Sequence, residues 1–76
     1  MPHVIVKLYA GRSDEQKQRI ADEITKALMN AAGSSEGSIS VAIEDVEPDA
    51  WMASVYEPDI AAKADTVFKK PGYAPA

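Results

Sequence analysis

Apolar residues alternate along the first strand-like stretch of the chain. Val4, Val6 and Leu8 share one side, and His3, Ile5, Lys7 and Tyr9 share the other. With its β-branched and aromatic content, "PHVIVKLY" predicts a strand. Ile5 and Tyr9 make the nominally polar side apolar as well, so both faces are expected to be covered. The period then changes. Ile20, Ile24, Ala27, Leu28 and Ala31 recur at helical spacing, which predicts a helix from about Asp14 to Ala32 with one apolar stripe. Ser13 suits its N-cap, Gln16 completes a capping box, and Asp14 and Glu15 suit the positive end of the helix dipole. Gly33 suits its end, and "GSSEGS" reads as a solvated connection.

Alternation returns in "SISVAIEDV", where Ile39, Val41 and Ile43 interleave with Ser40, Ala42 and Glu44, predicting a second strand. "EPDAWM" reads as a single helical turn or a tight turn opened by Pro48. "EPDIAAKADTVFKK" reads as a second helix with Pro58 in its first turn and Ile60, Ala64, Val67 and Phe68 on one side. Lys69 and Lys70 suit the C-terminal end of that helix, and "PGY" stops it. The fold class is α/β. Two parallel strands joined by a right-handed crossover helix form a βαβ unit, followed by a C-terminal helix, in a single domain over residues 1–76. A two-stranded sheet with open edges is not stable alone, so the sheet is expected to be completed by a second protomer.

Composition narrows the function. A chain of 76 residues buries only about 60% of the surface its unfolded form exposes, which again favours oligomerisation. There is no cysteine, so disulfides and thiolate metal sites are excluded. Eight basic against twelve acidic residues leave a net charge of -4, which argues against a nucleic-acid partner. No stretch approaches the ~20 apolar residues of a membrane helix. The first residues lack the pattern of a signal peptide, and a cytoplasmic location is expected.

Few residues can carry chemistry. Gly11, Gly33 and Gly37 form no phosphate-binding pattern. His3 is the single histidine and has no carboxylates at metal-ligand spacing, so no metal is expected. No serine lies in a nucleophile elbow. Three residues remain. Arg12 precedes a helix start, where it is either a solvated charge or a bidentate holder of a carboxylate. Trp51 lies in a turn, as core packing or as a pocket wall. Pro2 either leads into the strand or, with Met1 removed, is a rigid secondary amine able to exchange a proton.

Taken together, Pro2 behind the initiator methionine, the alternating strand, "GRSDEQK" opening the helix and "SISVAI" as the second strand resemble the 4-oxalocrotonate tautomerase family. The second half, "PDAW…DIA…KKPGY", is similar to the PptA subgroup of small dimeric tautomerases acting on phenylpyruvate-type enols. The resemblance implies the tautomerase-type βαβ fold as a homodimer, no cofactor, and a small enol or 2-keto acid as substrate. It implies Pro2 as general base, Arg12 on the substrate carboxylate and Trp51 as an aromatic wall, with Phe68 and Tyr73 as further candidates for that wall. An α-amino group titrates at about 7.7–8.0 and a secondary amine higher, so an apolar setting or a nearby cation such as Arg12 is needed to free the base near neutrality. A retained Met1 would make the nitrogen of Pro2 a non-basic tertiary amide.

The chain departs from the best-known members in one respect. Ser40 stands where they carry a second arginine. Losing that charge-assisted contact disfavours a dicarboxylate such as oxalocrotonate by about ten- to a hundredfold and points to a monocarboxylate with an apolar tail such as phenylenolpyruvate, the expected substrates being 2-hydroxydienoates or phenylenolpyruvate-type 2-keto acids. Two alternatives stand beside this expectation. One is a hydratase or dehalogenase of unsaturated short acids, with Glu44 or Glu47 activating water. The other is a non-catalytic dimeric binding module that keeps the fold.

Overall fold

The computed structural model describes residues 1–75. Strand β1 spans His3–Tyr9, helix α1 Asp14–Ala32 and strand β2 Ser40–Val46. The strands pair in parallel from His3↔Ser40 to Tyr9↔Val46, and α1 is the crossover that parallel neighbours require. The ladder continues past both ends. The Ser40 N–H donates to the Pro2 carbonyl at 3.1 Å, and the Ala10 N–H to the Val46 carbonyl at 3.0 Å.

Paired residues of parallel strands project to the same side. Val4, Val6 and Leu8 therefore lie with Val41, Ile43 and Asp45, and α1 covers this face, its Lys17 reaching Asp45 at 2.6 Å. At the start of α1 the Ser13 hydroxyl accepts from the Gln16 N–H at 3.1 Å, and the Gln16 side chain accepts from the Ser13 N–H at 3.2 Å. A cap of this kind contributes about 1 kcal/mol. Gly33 closes the helix in the left-handed conformation at φ 68°, its N–H on the Leu28 carbonyl. In the turn between β1 and α1, Gly11 holds φ 125°, a conformation open to glycine and strained for other residues, and so aims the following Arg12.

The C-terminal part differs from the sequence expectation. Pro48 does open a short turn, Pro48–Ala50 in 3₁₀ form. The second helix, however, runs over Met52–Ala61, earlier than the expected stretch from Glu57 to Lys70, and Pro58 lies inside it. The helix is a π-helix, closed by the Ala62 N–H donating to the Glu57 carbonyl at 2.9 Å. The proline explains this form. In an α-helix its ring would press on the carbonyl four residues earlier, and the wider π turn relieves that crowding. Among the described residues after Ala61 a 3₁₀ turn at Ala64–Thr66 is the remaining element, so Lys69 and Lys70 do not end a helix. Phe68, expected on the apolar side of that helix, is fully exposed at 101%.

This C-terminal segment packs on the second face of the sheet. Tyr9 of β1 meets Trp51, and Lys7 of β1 meets Asp59. The cover is partial, since Ile5 and Tyr9 stay about half exposed. Among the described residues Val55, at 5% exposure, is the one buried hydrophobic side chain. The two strands form a two-stranded sheet with a free edge on each side.

Candidate active site

Pro2, Arg12 and Trp51 sit at the two ends of β1. Pro2 is half-buried at the start, its carbonyl fixed by the Ser40 N–H. Beside it, His3 Nδ1 and Ser40 Oγ share a hydrogen bond of 2.6 Å, so the histidine has a structural partner. Arg12 lies past the other end. Its guanidinium is exposed and donates to the Tyr9 carbonyl at 3.5 Å, and its side chain borders a shallow groove with Gln16, Ile20 and Ile24 of α1. Trp51 reaches the same end, its ring edge-on to Tyr9 with centroids 5.2 Å apart at 82°. Arg12 and Trp51 thus converge on Tyr9. A seven-residue strand is ~20 Å long, so Pro2 is too far from Arg12 for the two to share one small molecule within a single chain.

Between these ends the second sheet face carries an open groove of about 540 Å³, lined by Ile5, Lys7, Trp51, Val55, Asp59 and their neighbours. Its wall carries three charged residues, Lys7, Asp59 and Lys63, among apolar ones. Lys7 donates to Asp59 at 2.5 Å. The hydrogen bond to Asp59 raises the Lys7 pKa above the ordinary 10.5, with the Asp59 and Glu44 charges adding to it and desolvation opposing it. A raised pKa in the folded state means that the pair stabilises the fold fully below the ordinary lysine value and that this contribution fades as pH rises through the raised one. Urea unfolding of wild type and Asp59→Asn is accordingly expected to show a stability difference at neutral pH that closes above about 10.5.

Sequence reasoning missed Lys7, Asp59 and the contacts of Tyr9. A lysine between Ile5 and Tyr9 on one strand face was a visible signal, because an ammonium there needs a partner. Tyr73, weighed only as apolar wall, instead accepts a hydrogen bond from Trp51 Nε1 at 2.8 Å and lays its ring 5.7 Å from that of Tyr56. Phe68, the other candidate for the wall, points to solvent. Glu44 and Glu47 are both exposed. Among the described residues no three His, Asp or Glu side chains are grouped as a metal site would need, and no helix is long and apolar enough to cross a membrane.

The family model described as "Tautomerase enzyme" matches residues 2–56, well over half of the chain. The chain belongs to the tautomerase family. A probable tautomerase of Xylella fastidiosa is 44% identical over 73 residues, covering 96% of this chain and 89% of that protein. The tautomerase PptA of Cronobacter sakazakii is 42% identical, covering 96% of this chain and 97% of that protein. Among solved structures, a 4-oxalocrotonate tautomerase isozyme from Methylibium petroleiphilum is 34% identical and superposes with a TM-score of 0.63, covering 66% of this chain and 81% of that one. The tautomerase fold expected from the sequence is therefore the observed one, with its two parallel strands and two helices, and membership of the family supports an isomerase of the tautomerase kind. The tautomerase match spans Pro2, Arg12 and Trp51 and stops at Tyr56, so Tyr73 lies outside it.

Proposed function

We propose that the protein is a cofactor-independent keto–enol tautomerase of monocarboxylate 2-keto acids with an apolar tail, of the phenylenolpyruvate type. The observation that carries this reading is that the family match begins on Pro2 itself. With Met1 removed, the ring nitrogen of Pro2 takes the enol hydroxyl proton, and the resulting ammonium returns a proton to carbon, a 1,3-shift with no net change in atoms. Met1 is 97% exposed, which leaves it open to removal. Arg12 holds the carboxylate and steadies the charge that develops on the neighbouring oxygen. Trp51 flanks the apolar tail.

Two copies are needed for this chemistry. A two-fold axis between edge strands sets one copy's Pro2 end beside the other's Arg12 and Trp51 end, and the length of β1 favours such a shared cleft over one within a chain. The open sheet edges and the single buried side chain support the same assembly. Ser40 beside Pro2 offers no second cation, which supports a monocarboxylate.

The test follows ketonisation of phenylenolpyruvate by absorbance, with the mass of the mature chain measured on the same sample. The reading expects turnover by protein that lacks Met1. Faster turnover of a 3-haloacrylate would favour the hydratase or dehalogenase chemistry instead. A retained methionine together with no turnover would leave a binding module.

A further inference from the structure

We propose that Tyr73 is a positioning residue that fixes the indole of Trp51 and so tunes the site toward aromatic tails. The inference rests on Trp51 being the wall of the proposed site. Trp51 stands where the short Pro48–Ala50 turn passes into the π-helix, and its own side chain makes no capping bond that would order the indole. Two contacts do so instead. From the sheet, Tyr9 meets the indole edge-on at 5.2 Å. From the tail, the Tyr73 hydroxyl accepts from Nε1–H at 2.8 Å. An indole has one polar hydrogen and no acceptor, so this bond selects one of the two ring orientations that a χ2 flip would exchange. Tyr73 is itself held by its ring against Tyr56 of the π-helix, at 5.7 Å and 48°.

The result is a clasp of four aromatic rings drawn from strand, turn, helix and tail. Three of its members lie within the stretch common to the family, and the fourth comes from the segment beyond it. The tail therefore contributes to the site through another residue, without needing to touch substrate. Tyr73 is 44% exposed and accepts a single hydrogen bond, so its effect is expected to be modest and selective.

Tyr73→Phe removes the hydroxyl and keeps the ring against Tyr56. Its KM for phenylenolpyruvate is expected to rise about three- to tenfold with kcat within about twofold of wild type, while KM for a short aliphatic 2-hydroxydienoate stays put. Trp51 is the one tryptophan of the chain, so its emission reports the clasp without any substrate. The variant's emission is expected to move to longer wavelength and to be quenched more readily by acrylamide. Tyr73→Ala, which also removes the ring, should shift both readouts further in the same direction. Equal KM shifts for the aromatic and the aliphatic enol, or an unchanged emission with intact turnover, would overturn the role of Tyr73 alone. Altered emission with no turnover by wild type would overturn the reading of the site and this proposal with it.

Discussion

Pro2→Ala is expected to lower kcat for enol ketonisation by about a hundredfold or more, within the range that a positioned general base contributes. The variant still has an amine at its mature amino terminus, so the loss isolates what the ring supplies. A secondary nitrogen tied back to its own Cα meets the substrate proton in one orientation, whereas a primary amine rotates freely and must be ordered each time. The Pro2 carbonyl, bonded to the Ser40 N–H, holds the ring at the mouth of the sheet from its other side. Because the proposed site holds the carboxylate through Arg12, KM is expected to change far less than kcat. A rate within about threefold of wild type would remove Pro2 from the chemistry.

Arg12→Ala is expected to raise KM by about ten- to a hundredfold, the value of a charge-assisted contact to a carboxylate. The same variant tests where the site is built. If Pro2 and Arg12 act across a two-fold interface, mixing Pro2→Ala and Arg12→Ala chains creates hybrids in which one cleft has both residues intact and the other has neither. Assayed at substrate well below the raised KM of Arg12→Ala, where both variants turn over slowly, random exchange then restores about a quarter of wild-type activity. If both residues acted within one chain, the mixture would stay inactive. The ~20 Å length of β1 leads us to expect restoration.

The first forty-six residues were legible because each element there has one dominant signal. Alternation set β1 and β2, and the Ser13–Gln16 box and Gly33 bracketed α1. The C-terminal half offered two prolines with the same local meaning. Either could open a helix, and the chain uses Pro48 for a turn and accommodates Pro58 inside a widened helix, a choice made by packing of Trp51 and Val55 against β1. Among candidate site residues, Pro2 and Arg12 stood out by chemistry and position. The bond from Trp51 to Tyr73 did not, because it joins an irregular tail to a turn 22 residues away and leaves no periodicity to read. The Lys7–Asp59 pair was hidden for the same reason, its partners being 52 residues apart.

Among the described residues a single side chain is well shielded, so one chain has little interior of its own to resist water. Folding and association are then expected to behave as one equilibrium, so dilution should lower the melting temperature as well as the specific activity. Such an enzyme would switch itself off when scarce, leaving proteolysis to clear the stray halves.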